Sequence, residues 1–242
     1  MIDDQGLSHE VLDPWRSIKD NIMESNNLHD FYFDRYQRYK SAADMIYDLH
    51  GRSPGLKILD IGSLDNTFAA FLPEHTVMPY DQVIDSVQGR VPYNDKYFDM
   101  AVALDVLEHV PPDERAFFIL EISRVSRLGF ILAFPIASAK ETEDFVLELT
   151  GSVWLSEHKR YGLPEADEIE ALLREMGFSF IRHPNARLPS WMAMMLLMHG
   201  TEKPMRIKIS SFFNKHFYEL ENGEPAYRYI YLCTKPDKEK SS

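Results

Sequence analysis

The densest run of chemically capable side chains is Asp105-Val106-Leu107-Glu108-His109, directly after the apolar stretch Phe98 to Leu104. An imidazole titrates near neutrality, and a neighbouring carboxylate can orient it and stabilise its charged form. His109 is therefore the candidate general base, with Glu108 or Asp105 as orienting acids. The plainer reading is a histidine that only makes structural hydrogen bonds. A second group, Trp154, His158 and Tyr161, follows later in the chain. His158 and Tyr161 are candidates for the acceptor side of a site. Glu157-His158-Lys159-Arg160 also fits a solvated helix face, and Trp154 fits a core position. A third group is Asp60-Ile61-Gly62-Ser63-Leu64-Asp65-Asn66. An acid near a strand end, followed by a tight turn opening a helix, can hold a nucleotide-like ligand. Glycine lets backbone approach the ligand, and the helix start offers free N–H groups. The spacing G-x-G-x-x-G is absent, which argues against a pyrophosphate site and a nicotinamide-dependent oxidoreductase. Asp81 follows the next strand, where a carboxylate can accept two hydrogen bonds from ribose hydroxyls; a helix cap or solvated turn acid is the alternative.

These residues must be positioned by strands alternating with helices. Leu56 to Ile61, Thr76 to Tyr80, Phe98 to Leu104, Phe130 to Phe134, Phe178 to Arg182 and Tyr227 to Thr234 read as strands from their apolar, β-forming composition. Phe68 to Leu72 reads as a short helix. Pro111-Pro112 opens another, in which Phe118, Ile122 and Val125 share a face. Pro164 and Gly177 bracket a further helix. Residues 1–51 read as an N-terminal helical cap, with Phe31, Tyr32, Met45, Ile46 and Leu49 on one stripe. Such alternation implies an α/β fold with a mostly parallel sheet covered on both faces. Ligands in such folds sit beyond the carboxyl ends of the strands, which is where Asp60, Asp81 and Asp105 lie.

Composition narrows the function. The chain has 242 residues, 45% hydrophobic and 26% charged, enough for one domain with a sizeable core. Its net charge of −12 argues against a nucleic-acid-binding surface. The single cysteine, Cys233, excludes an intrachain disulfide and a cysteine-rich metal site, so no metal is expected. The acidic start MIDDQGLSHE lacks the pattern of a signal peptide, and no apolar stretch is long enough to span a bilayer. A cytoplasmic location is expected.

Pro92-Tyr93-Asn94-Asp95-Lys96-Tyr97-Phe98-Asp99, then Leu104-Asp105-Val106-Leu107-Glu108-His109-Val110, then Phe130 to Pro135 resemble class I S-adenosylmethionine (SAM)-dependent methyltransferases of the small-molecule, type 11 kind. Those proteins carry L-P-F-x-D-x-x-F-D followed by a strand and D-V-L-E-H-V. Trp154 to Pro164, His183-Pro184-Asn185 and Phe212 to Tyr218 resemble a subgroup often associated with glycosyltransferases. The resemblance spans roughly residues 30 to 235. It implies a Rossmann-like, seven-stranded sheet whose last strand is antiparallel and lies between its two neighbours at one edge. It implies SAM as cofactor, with Asp60, Gly62, Ser63 and Leu64 in the cofactor loop, Asp81 and Gln82 at the ribose, and Asp105, Val106 and Leu107 lining the pocket. His109 would lie near the transferred methyl, and Glu108, Trp154, His158 and Tyr161 near the acceptor. The chain departs from the pattern at the second and third loop glycines, which are Leu64 and Asn66. It departs again at Val87, where the family has an acid for the adenine amino group. The alternative to an enzyme is a methyltransferase-fold module that binds or assembles without catalysis.

On this reading the chain is a single domain: cap 1–51, Rossmann-like core 52–183, helical insertion 184–226, final strand 227–235 and flexible tail 236–242. The insertion holds Trp191-Met-Ala-Met-Met-Leu-Leu-Met198, which fits a buried helix because methionine fills irregular gaps. The competing reading is an apolar surface for a second copy or a lipid-like acceptor. Lys203, Arg206, Lys208 and Lys215 nearby would suit an anionic headgroup or phosphorylated sugar. A small-molecule or glycan- or lipid-linked acceptor is the expected partner.

Overall fold

The computed structural model describes residues 27–63, 65–80 and 90–235. Leu64, Asp81, Gln82 and Val87 lie outside the described residues, as do residues 1–26 of the cap and the tail 236–242.

Six strands form one sheet among the described residues: β1 (Lys57–Ile61), β2 (Thr76–Tyr80), β3 (Phe98–Leu104), β4 (Ser126–Pro135), β5 (Ser179–Arg187) and β6 (Ala226–Thr234). Their order is β2-β1-β3-β4-β6-β5. β2, β1, β3 and β4 are mutually parallel, and β6 runs antiparallel to both β4 and β5. The expected antiparallel last strand, lying between its neighbours, is therefore present. The expected seventh strand is not: the sheet has six, with β2 at the edge. The reason is chain length. Residues 81–97 join β2 to β3, and an extra parallel strand there would need two crossovers of about a dozen residues each. The described end of that connection is a turn, in which Tyr97 N–H donates to the Asn94 carbonyl and Lys96 N–H to that of Arg124.

Period-two alternation splits the strands into two cores. Leu59, Ala101, Ala103, Phe130, Leu132 and Tyr231 face one side, where they meet Phe118, Ile119 and Ile122 of α2 (Arg115–Val125). Ile58, Met100, Val102, Ile131, Ala133 and Ile230 face the other, where they meet Tyr39, Ala42 and Ile46 of α1 (Phe33–His50). Gly129 of β4 is required by close approach, since a Cβ there would sit 2.4 Å from the Cys233 carbonyl oxygen of β6.

A third core lies beyond these two. It combines α3 (Lys140–Thr150), α4 (Val153–His158), α6 (Leu188–His199) and α7 (Lys203–Phe217) with Phe33 and Tyr227. α5 (Ala166–Glu175) lies between α4 and β5 in the chain, and its Ile169 and Leu173 pack on the α2 side. The methionine-rich segment is α6. Its Trp191, Met194, Met195 and Met198 are buried, and Trp191 stacks on Tyr227 at 3.9 Å between ring centroids. The buried-helix reading therefore describes this face. No helix among the described residues is long and apolar enough to cross a membrane.

Candidate functional site

The carboxyl ends of β1 and β3 place the sequence candidates side by side. β1 ends at Ile61 and the chain turns at Gly62, whose φ is +81°. Gly62 N–H donates to the Tyr80 carbonyl of β2. A Cβ at Gly62 would lie 2.6 Å from Val106 Cγ2, so the β1 turn and the β3 turn are in direct contact. Asn66 adopts the left-handed conformation at φ 52°, ψ 21°, which asparagine accommodates better than most side chains. Asp65 receives the Arg35 guanidinium of α1 at 2.8 Å and caps Thr67 N–H.

Asp60 is buried, and its Oδ2 has no hydrogen-bond partner. Desolvation raises its pKa to about 7, against a smaller lowering by the Ser63 hydroxyl. Buried polar atoms are ordinarily paired, so this carboxyl oxygen behind the glycine turn stands out.

Asp105 ends β3 in the left-handed conformation, φ 57°, with its N–H donating to the Ala133 carbonyl of β4. Its Oδ1 has no hydrogen-bond partner, whereas its other oxygen is engaged. Oδ2 accepts from Arg38 at 3.0 Å and from Arg228 at 2.7 Å. The same two arginines reach Asp34, each at 2.5 Å. Two cations and two anions thus close a buried network between α1, β3 and β6. Asn185 extends it, accepting from Arg228 at 3.3 Å and donating to the Gln37 carbonyl at 3.1 Å. Arg38, Asp34 and Arg228 carried no functional signal as separate residues. The one available clue was an arginine inside the apolar strand Ala226–Thr234.

Past Asp105, a short turn at Leu107–His109 presents Glu108 and His109. His158, at the end of α4, comes to meet them. Arg115 fastens the two segments together by donating to the carbonyls of Val110 and Gly162 at 3.2 and 2.9 Å. The His109 and His158 rings lie 5.1 Å apart, and Trp154 lies 4.8 Å from His158 on the other side. Glu108 is 0% exposed and neither carboxyl oxygen has a partner; Oε1 is 3.9 Å from His158 Nε2, itself unpartnered. His158 Nδ1 lies 3.1 Å from both Glu143 oxygens, and Tyr227 Oη donates to Glu143 at 2.6 Å.

The environment sets the charges. Burial lifts Glu108 to about 8, with Asp105 adding to the rise. Burial lowers His109 to about 4, with His158 adding to the fall. Burial opposes protonation of His158, yet Glu143 and Glu108 hold it above the usual imidazole range.

The structure thus brings Glu108, His109, Trp154 and His158 together. It also shows that His158 is 2% exposed and not on a solvated helix face. Tyr161 is half-buried beside Arg160, with the guanidinium 5.0 Å from its ring centroid. Glu143 and Tyr227 were not legible as site residues, because nothing in their local sequence distinguishes them.

Comparison with solved structures identifies the architecture. The plantazolicin methyltransferase in complex with S-adenosylhomocysteine superposes with a TM-score of 0.50 at 9% identity, covering 84% of each chain. The chain has the class I methyltransferase fold. Two further structures match less closely. A SAM-dependent methyltransferase from Thermotoga maritima has a TM-score of 0.44 at 17% identity, over 86% of this chain and 92% of that one. The phosphoethanolamine N-methyltransferase 2 of Haemonchus contortus, in complex with phosphomonomethylethanolamine and S-adenosylhomocysteine, has a TM-score of 0.49 at 14% identity, over 81% of this chain and 52% of that one. No family model matches the sequence, and no curated protein does.

Proposed function

We propose that this chain is a SAM-dependent methyltransferase acting on a small molecule or a glycan- or lipid-linked acceptor. The observation that carries this reading is Asp60. In a methyltransferase fold it stands at the carboxyl end of β1, buried, with an oxygen free of partners, beside a glycine turn that touches the β3 turn. Asp60, Gly62 and Ser63 would hold the cofactor from the β1 side and Val106 and Leu107 from the β3 side. Leu64, Asp81 and Gln82 complete the set by sequence position. Bound there, SAM would supply a methyl group on a sulfonium.

The chain's own share is mainly positional. Holding two reactants in line contributes up to roughly 7–11 kcal/mol. His109, lowered to about 4, is neutral at pH 7 and offers a ring nitrogen as hydrogen-bond acceptor. It is a weak base in this setting, so it suits an acceptor that needs orientation more than deprotonation. Lys203, Arg206, Lys208 and Lys215 on α7, together with the exposed Met205 and Phe212, favour an anionic or lipid-linked acceptor.

One observation favours the second reading, a binding or assembly module. The Asp105 carboxylate is already engaged by two arginines, and Val106 and Leu107 are buried against neighbouring core. Calorimetry with SAM and S-adenosylhomocysteine separates the two. Micromolar binding that is lost in Asp81→Ala is the expected result. Absence of binding up to millimolar cofactor overturns the enzyme and leaves the module.

A further inference from the structure

We propose that Glu108, His109 and His158 form a binding site for one divalent transition-metal ion of the zinc or iron(II) class. The three side chains each present one ligand atom, and these atoms all lie within 4.8 Å of one another. Two imidazoles and one carboxylate suit borderline ions of this kind, whereas magnesium and calcium prefer all-oxygen sets.

Four features of the cluster point to a cation. The first is unspent coordination capacity. Both Glu108 oxygens and His158 Nε2 are buried without a hydrogen-bond partner. Buried polar atoms are ordinarily satisfied, and a bound cation would account for the unspent atoms of Glu108 and His158. The second is the outer partner of the ligating imidazole. His158 turns Nδ1 to Glu143, which leaves Nε2 facing Glu108 and His109. A carboxylate on the far nitrogen fixes the tautomer and raises the basicity of a metal-bound histidine, and Tyr227 in turn holds Glu143.

The third feature is distance. Ligands at 2.0–2.2 Å from a tetrahedral centre stand roughly 3.3–3.5 Å apart. The His158–Glu108 separation is 3.9 Å and all three ligand atoms lie within 4.8 Å, so binding needs the side chains to draw together by up to about 1 Å. The fourth is rigidity. Arg115 ties the segment carrying His109 to the segment carrying His158, so the ligands approach each other without a loop having to fold first. Three protein ligands leave at least one coordination position open, as in catalytic rather than structural metal sites.

This inference is independent of cofactor binding, and the two fail separately. The full chain, stripped with a chelator, is titrated with Zn2+ by calorimetry and with Co2+ by visible absorption. One ion per chain at micromolar or tighter affinity is expected, with visible cobalt bands of a mixed nitrogen–oxygen site. His109→Gln, at the half-buried ligand, should weaken binding at least about tenfold while the circular dichroism stays that of the wild type. Glu143→Gln should weaken it by about 10- to 100-fold through the outer partner alone. No uptake by the folded wild-type chain at millimolar Zn2+ overturns the site. So does binding that both variants leave unchanged, because the ion would then sit on other histidines.

Discussion

Two clusters of ionisable side chains lie a few residues apart at the end of β3, and they differ in how far their charges are paired. Around Asp105, each carboxylate is paired with two guanidiniums, Asp34 and Asp105 against Arg38 and Arg228, and only Asp105 Oδ1 and the two arginine Nε atoms are left over. Around Glu108, buried groups face one another with their polar atoms unspent. A closed network holds elements in place, while an open one retains capacity to bind something else. The sequence run Asp105 to His109 reads as one functional unit, yet the structure divides it. Its first residue is committed to the fold, and its last two face the candidate site.

The division predicts opposite responses to substitution. Arg228→Met removes a cation that serves two aspartates while filling most of its volume. Asp34 and Asp105 would then share Arg38 alone, and breaking a buried pair in this way costs about 3–5 kcal/mol. Urea unfolding should show that loss as a lower midpoint with little change in slope. A loss under about 1 kcal/mol would mean that the network orders α1 without stabilising it.

Asp60 belongs with the unspent groups, and pH reads its cost. Its pKa is 3.8 in an ordinary setting and about 7 in the fold. Between those values the native state holds a proton that the unfolded chain has lost, so this residue makes stability fall as pH rises from 4 to 7. Below that window there is no penalty; above it the penalty is complete, at roughly 4 kcal/mol. Asp60→Asn should therefore stabilise the chain by about 3–4 kcal/mol more at pH 8 than at pH 4, because the amide's own burial cost is the same at both and cancels. If the proposed function holds, the same variant should lose S-adenosylhomocysteine affinity, in the manner of a site kept at the expense of stability. An equal gain at both pH values would place the Asp60 proton elsewhere.

A smaller effect probes the contact between the two turns. Gly62→Ala combines a positive φ with a Cβ 2.6 Å from Val106 Cγ2. Overpacking of this kind costs about 1–3 kcal/mol. Trimming the neighbour in Gly62→Ala/Val106→Ala should restore part of it, leaving the backbone strain behind. Strict additivity of the two changes would show that the turns do not press on each other.

The sheet was legible because apolar strands advertise themselves. Thr76–Tyr80 and Phe98–Leu104 have the bounds expected from composition alone; β4 starts four residues earlier, at Ser126, and runs on to Pro135, and β5 starts one residue later, at Ser179, and runs on to Arg187. Composition alone reads six strands, the number in the sheet; the seventh came from the family resemblance, and the short β2–β3 connection argues against it. In the site, His109 and His158 each stood out, but their proximity did not. It depends on Arg115 joining two carbonyls that lie far apart in the chain. The Asp34–Arg38–Asp105–Arg228 network was hidden for the same reason. Asp34 and Arg38 form an i,i+4 pair on α1, but no spacing rule links that pair to Asp105 of β3 or Arg228 of β6.

The smallest predicted effect is the one most particular to the open cluster. Glu108 is as deeply buried as Arg228, so burial alone would forecast a large loss on substitution. Partner accounting forecasts the opposite. Neither Glu108 oxygen gives up a hydrogen bond when it is replaced, and Gln is close to isosteric. In chelator-stripped protein, Glu108→Gln should therefore change unfolding free energy by less than about 1 kcal/mol, the range of a replacement that orphans no partner. With Zn2+ present the contrast should appear. A ligand that binds only the native state adds about 2.7 kcal/mol at a hundredfold excess over its Kd. The wild type would gain this increment and Glu108→Gln would gain much less. A large loss in the metal-free variant would show that Glu108 is a structural residue after all, and the two ends of this five-residue run would no longer differ in kind.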